Sequence, residues 1–185
     1  IHIYDNAPGC NSTAQIADTA IYDLFACPVY EYDPFGYGIP FYQVSSMREI
    51  NQLRSRTGGN CNYLEGILWI GEQTNGNSTF STEITSLSGL NWIKKVSWLV
   101  ALGNLRLNSL AGLHNLVGST QGVGLAYNPI EDLVPLSGLT AIRVTNENYF
   151  TELSVIGSNI RTLDPLKQTS FSLHVRLHVV RTWWR

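Results

Sequence analysis

The sequence predicts a repeat solenoid, on three observations. An apolar triplet recurs as Ile84, Leu87, Leu90, then Leu107, Leu110, Leu113, then Ile130, Leu133, Leu136, so the middle leucines at 87, 110 and 133 are 23 residues apart. The surrounding text repeats as SLSGL, SLAGL and DLVPL. One amphipathic helix pattern stands just upstream, where stacked repeats need a cap over their open end. A period of roughly 20–50 residues marks units too small to bury an apolar face alone, whose stacking makes the core continuous.

Composition limits the alternatives. A chain of 185 residues holds one domain, or one and a fragment. Apolar residues make up 44%, enough for a core, while charged residues are only 14%, against roughly 25% in typical domains. Asn, Ser, Thr and Gly must therefore cover the surface. Net charge is -2 and the sequence pI about 6.1, which leaves no basic footprint for nucleic acid. No apolar run approaches the roughly 18 residues that would span a bilayer. The opening at Ile1, without Met or a charged, apolar-cored leader, reads as a fragment whose signal peptide is absent or removed.

In order along the chain, Ile1-His2-Ile3 alternates as a short strand, and Asp5, Asn6, Pro8 and Gly9 form a turn. Ser12 and Gln15 make a capping box that opens a helix with Ile16, Ala20 and Leu24 on one face. The three cysteines, Cys10, Cys27 and Cys61, are too few and too far apart for a metal knuckle, and an odd count leaves one free or paired elsewhere. A helix running unbroken from 12 to 26 would be about 21 Å long, whereas a disulfide needs α-carbons about 5.5 Å apart. Either that helix is short and the chain folds back, or Cys10 and Cys27 do not pair. Asn11-Ser12-Thr13 and Asn77-Ser78-Thr79 match the N-glycosylation pattern, as surface marks or as plain polar loops.

Residues 28–43 are rich in aromatics, Pro and Gly with no period, and read as a linker; its rings offer apolar faces for stacking on a sugar, and the plainer reading is that they pack onto the neighbouring core. A second capping box, Ser46 to Glu49, opens a helix with Met47, Ile50 and Leu53 on one face, stopped by Gly58-Gly59. The run from Cys61 to Ile70 is a strand with Leu68 and Ile70 facing one way, Ile67 and Trp69 the other. Carrying the repeat across, Val96, Val100 and Leu102 align with Ser119, Val123 and Leu125, and the last two of each set alternate as an inward-facing strand. Ala101, Gly103, Gly124 and Ala126 then fall on a flat outer face. Trp69, Trp98 and Tyr127 stand nearby as the candidate ligand-binding rings. Asn104 and Asn128, after the strands, suit turns with left-handed backbone.

The stretch from Val44-Ser45-Ser46 through Glu49, Ile50, Leu53 and Cys61 into Leu64-Glu65-Gly66-Ile67-Leu68-Trp69-Ile70 resembles the opening of a receptor L domain, the leucine-rich-repeat-like module of insulin and epidermal growth factor receptor ectodomains. The SLSGL and SLAGL units are similar to the more regular version in bacterial surface and secreted proteins. Ile3 through Ser12 and Ile16 resembles the segment that closes one such domain in tandem arrays. The resemblance covers about 1–27 and 44–166. It implies a right-handed β-solenoid with short strands, turns and an N-terminal capping helix, and extracellular ligand binding or adhesion without catalysis. The resemblance implies a tail of a preceding L-like domain at 1–27 and an L-like repeat domain at 44–170, while the residues themselves read as a linker at 28–43 and a C-terminal strand or foreign tail at 171–185.

The pattern departs from the family in places. The closing segment usually carries its second cysteine near Ala20, and after Leu139 the repeat offsets fail, with Asn146 and Asn148 in apolar slots. Residues 171–179 alternate as a strand, which sets His174 and His178 about 13 Å apart and argues against a shared metal. Glu131, Asp132 and Asp164 offer carboxylates, but Asp132 shares the variable slot of Ser86 and Ser109, so no catalytic pair is fixed. The expected function is a cell-surface or secreted recognition module that binds a protein or glycan through its strand face, with no enzyme activity, cofactor, metal, nucleic acid or membrane span. Its rivals are a structural spacer in a surface array and a carbohydrate-active enzyme.

Overall fold

A computed structural model describes residues 25–28, 38–74, 77–142, 152–171 and 176–180. The expectations for the first strand and helix, Cys10, Asn11, most linker aromatics, Asn146, Asn148 and His174 fall outside these residues. The described elements are β1 (Phe41–Val44), α1 (Met47–Arg56), β2 (Tyr63–Ile70), β3 (Glu72–Thr74), β4 (Asn77–Thr79), β5 (Lys95–Leu102), β6 (Gly118–Ala126), β7 (Ala141–Ile142), β8 (Glu152–Ile156), β9 (Ser170–Phe171) and β10 (Arg176–Val180). Strands β1, β2, β5 and β6 lie side by side and parallel. Beyond β6 the sheet divides: β7 and then β9 continue from Gly118 and Ser119, while β8 and then β10 continue from Gly122 to Ala126. Strands β3 and β4 form a separate antiparallel hairpin.

This corrects the expected β-solenoid. The described strands make an open parallel sheet with a single helix, in an α/β-like layout. The reason lies in the repeat, since each unit contributes only one ladder-forming stretch to the sheet. The triplet residues enter short turns instead, with 3-10 geometry at Ser88–Leu90, Val134–Leu136 and Asp164–Leu166, so among the described residues turns rather than a second sheet stand behind the first. All nine triplet side chains are nonetheless fully buried, and they pack with the inward rows Leu68, Leu99, Val123, Leu153 and Ile70, Ala101, Leu125, Val155. Each buried aliphatic side chain stabilises the fold by about 1.5–3 kcal/mol relative to exposure.

Helix α1 forms as the sequence predicts. The Ser46 hydroxyl accepts from the Glu49 amide, and Ile50 and Leu53 are buried with Met47 against the core. The Glu49 carboxylate reaches one residue past the cap, accepting from both the amide and hydroxyl of Ser45. Gly58 and Gly59, at φ 83° and 80°, end the helix. The helix lies on the first 3-10 turn so closely that a Cβ on Gly89 would sit 2.8 Å from Asn51 Oδ1 and 3.0 Å from Ile50 Cγ2.

The segment read as a linker contains β1, whose parallel register runs from Phe41 opposite Ile67 to Val44 opposite Ile70. Residues 25–28 are stitched to the same sheet. Ala26 bridges Tyr63, Cys27 is disulfide-bonded to Cys61, and the Tyr42 hydroxyl donates to the Cys27 carbonyl. The sequence separation of 34 across the disulfide corresponds to about 3–4 kcal/mol on the chain-entropy view of cross-links.

Asn104 and Asn128 have a different role from the turn formers expected. Both are buried, and the positive φ falls on the residue before each, Gly103 at 71° and Tyr127 at 55°. The asparagines form a ladder across the strand ends. Asn128 Nδ2 donates to the carbonyls of Ala101 and Ala126, while its Oδ1 accepts from the amide and the Nδ2 of Asn104, which in turn donates to the carbonyl of Ile70. An asparagine suits this slot because it supplies two donors and an acceptor from one short side chain.

The inward register also differs from the expectation. Leu99 and Ala101 are buried, whereas Val100 and Leu102 face outward and are half-buried. The cause is a bulge: Val96 pairs with Ser119 but Trp98 pairs with Gly122, so β6 holds one residue more than a 23-residue step allows. Ser119, in an otherwise apolar slot, clamps this irregularity. Its hydroxyl accepts from the Gly122 amide and lies 2.7 Å from the Gly122 carbonyl and 3.0 Å from the Ser97 carbonyl, one proton serving the two. The repeat resumes further on, with Val123 and Leu125 opposite Leu153 and Val155, and with Ile160 and Leu166 buried at triplet spacing. At the C-terminal end, Ser170–Phe171 pairs with β7 and Arg176–Val180 with β8, while the expected strand over 171–179 falls partly outside the described residues.

Candidate binding face on the outer side of the sheet

Alternation along each strand sends every second side chain outward. Most of the outward residues in the upper part of β1, β2 and β5 are large and apolar, with Gln43 among them. Phe41, Ile67 and Trp69 form a second hydrophobic cluster, with Ile39, Trp98, Val100 and Leu102 packed against it. The register explains the grouping, since Phe41, Ile67 and Trp98 lie in one cross-strand row and Gln43, Trp69 and Val100 in the next. The rings of Phe41 and Trp69 are tilted with centroids 6.1 Å apart.

On the adjacent strand the same rows continue as Gly122 and Gly124, followed by Ala126 opposite Leu102. A Cβ added at Gly124 would come within 4 Å only of the Leu99 carbonyl oxygen, at 4.0 Å, so nothing stands over this glycine. Parallel strands are about 4.8 Å apart. The outer face therefore steps down from a wall of Trp98, Val100 and Leu102 to a bare peptide floor on β6, with half-buried Ser154 and Ile156 on β8 beyond it.

The three candidate rings are not equivalent. Trp69 is only 9% exposed and serves as the base of the wall, so it does not offer the free ring expected. Trp98 is half-buried at the step itself, and its indole Nε1–H is buried with no acceptor among the described residues. Tyr127 follows the end of β6, where its amide donates to the Ile156 carbonyl. Its ring packs edge-on against Phe80, centroids 5.8 Å apart, rather than joining the tryptophans; Phe80 is 59% exposed. Asn77 begins β4 of the small hairpin that precedes Phe80.

Phe41, Ile67, Val100 and Leu102 complete the wall. The sequence reading missed Phe41 inside the supposed linker, and it turned Val100 and Leu102 inward by carrying the repeat straight through the bulge. The signal was present in Val96-Ser97-Trp98-Leu99-Val100-Ala101-Leu102, a strand apolar on both faces, which is what a sheet covered or used on both sides requires.

Below the wall, at the level of the bulge, the surface becomes polar. Lys95 Nζ lies 4.8 Å from the centroid of the Tyr63 ring. Burial pushes the Tyr63 phenol above the ordinary tyrosine pKa of about 10; the Glu65 charge also raises it, while hydrogen bonds with Ser97 and Thr120 pull the other way. The folded state thus holds this proton more tightly than the unfolded state. Its contribution to stability is complete below the unfolded tyrosine pKa and is lost as pH rises through the folded one. Thermal melts at neutral and strongly alkaline pH will show a smaller alkaline loss for Tyr63→Phe than for the parent chain.

The carboxylates weighed for catalysis have structural roles or stand exposed. Asp132 Oδ1 accepts from the Val134 amide, just as Ser86, Ser109 and Thr162 accept from amides two residues on at the start of their turns. Among the described residues no group of three or more His, Cys, Asp or Glu side chains is placed to hold a metal ion. Nor is any described helix long and apolar enough to cross a membrane. No family model matches the chain, and neither a curated protein nor a solved structure matches it.

Proposed function

We propose that the chain is an extracellular or cell-surface recognition module that binds a protein or glycan partner on the outer face of its sheet. The observation that carries this reading is the step from Trp98, Val100 and Leu102 to the open glycine floor of β6. Apolar side chains beside a strand stripped of side chains leave room for a partner's chain or ring to lie against backbone, and half-buried tryptophan is the side chain most often found at the energetic centre of such contacts. The disulfide between Cys27 and Cys61 supports an oxidising compartment, as do the acceptor triplets at Asn11 and Asn77. The resemblance of residues 44–70 to receptor L domains points the same way.

Protein and glycan arrays probed with the intact chain provide the test. A partner found in this way should bind Trp98→Ala about thirtyfold or more weakly, the usual effect of removing a central tryptophan. It should bind Val100→Glu weakly as well, because a charge would then stand in the wall. Partners that bind both variants as well as the parent chain would overturn the strand-face reading.

A further inference from the structure

A second surface, at the opposite end of the strands, carries an inference independent of the outer face. A cleft of about 520 Å³ opens where residue 25, the end of α1 and the turns before β5 and β6 come together. Its volume lies in the range of roughly 300–1,000 Å³ common to small-ligand sites. Phe25, Arg54, Asn60, Trp92, Lys94 and Asn115 line it, so both ionisable side chains of the lining are cationic and no described carboxylate faces it. Arg54 donates from Nε to the Gly59 carbonyl, which leaves the rest of its guanidinium uncommitted, and neither Arg54 nor Lys94 is in an ion pair among the described residues.

The walls are held in place before any ligand arrives. The Asn62 side chain accepts from the Phe25 amide at 3.0 Å, the Lys94 amide donates to the Asn62 carbonyl at 2.9 Å, and Asn115 Nδ2 donates to the Asn91 carbonyl at 2.6 Å. The Cys27–Cys61 disulfide ties the segment carrying Phe25 to the base of β2. Among the described residues, the Asn115 amide oxygen and the Asn60 amide have no partner within the protein. The Phe25 ring is 63% exposed.

From this arrangement we propose that the cleft binds an acidic sugar, a pyranose bearing a carboxylate. A guanidinium and an ammonium suit the carboxylate, the first as a planar fork and the second as a point charge. Side-chain amides offer a donor and an acceptor together, which matches adjacent sugar hydroxyls. The Phe25 and Trp92 rings supply apolar surface for the face of a pyranose. An acidic peptide would use the cations and leave rings and amides idle, and a neutral sugar would leave both positive charges uncompensated.

The experiment is calorimetric titration of trigalacturonate into the intact chain, at low salt and at about 0.15 M salt. Maltotriose and triglutamate serve as the neutral-sugar and acidic-peptide comparisons. Trigalacturonate should bind saturably, more weakly in the higher salt, and about tenfold or more weakly to Lys94→Glu and Arg54→Gln. Lys94 is exposed, so its variant decides the matter even if Arg54→Gln is poorly folded. No binding of trigalacturonate, equal binding of maltotriose or triglutamate, or unchanged binding by Lys94→Glu would each overturn the proposal.

Discussion

Replacing Asn128 by alanine is expected to lower the unfolding free energy by about 3–5 kcal/mol, among the largest losses available from one side chain in this fold. The asparagine is buried and serves four backbone or side-chain groups at once. Truncation takes these buried partners from the Asn104 amide and the Ala101 carbonyl, while the part-buried Ala126 carbonyl keeps the Gly103 amide. Each buried group left unsatisfied costs about 1–3 kcal/mol, reduced where a strand partner remains. Urea denaturation of the two proteins measures the difference. Asn128→Asp is the informative companion, because it keeps the acceptor for Asn104 but replaces the donor that serves Ala101 and Ala126 with a carboxylate oxygen. A loss below about 1 kcal/mol for Asn128→Ala would mean that the ladder contributes little.

Gly112→Ala is expected to cost about 3 kcal/mol or more, for a steric reason. Gly112 has φ 113°, a backbone region in which side chains are strained, and an added Cβ would run into the carbonyl of Leu87 in the preceding repeat. The obstacle is backbone, so no rotamer change relieves it. Gly138→Ala provides the contrast: its Cβ would meet the His114 carbonyl at 3.3 Å with no positive φ, and the loss should be much smaller. Equal losses for the two would remove the argument from close approach of neighbouring turns. The equivalent positions Gly89 and Pro135 begin or lie within 3-10 turns, whereas residues 111–113 do not, and Gly112 marks that difference.

The residues that repeat were legible in the sequence, and the way they are arranged was less so. Leucine triplets, the Ser46 cap and the two faces of β2 follow from local rules of periodicity and capping, which act over a few residues and leave their mark directly in the text. The layout of one open sheet depends on how many stretches of each repeat find ladder partners, and apolar spacing does not report this: a buried leucine in a turn reads like one in a strand. The outer wall was half visible. Trp69 and Trp98 were identified by type, but the single inserted residue opposite Ser97 reversed the assignment of Val100 and Leu102, because strand faces alternate with a period of two and one extra residue exchanges them. The roles of Ser119 and the asparagines were hidden because each also has a partner 22 or more residues away.

The asparagine ladder also bears on how the chain is made. Asn104 reaches back to Ile70 and Asn128 reaches back to Ala101, so one carbonyl near the end of β2 and one near the end of β5 are satisfied by a residue that follows 34 and 27 positions later. During synthesis from the amino terminus, the newest strand end therefore remains hydrated until the next asparagine emerges. A chain halted between Leu105 and Tyr127 exposes to solvent the Ala101 carbonyl that Asn128 later covers.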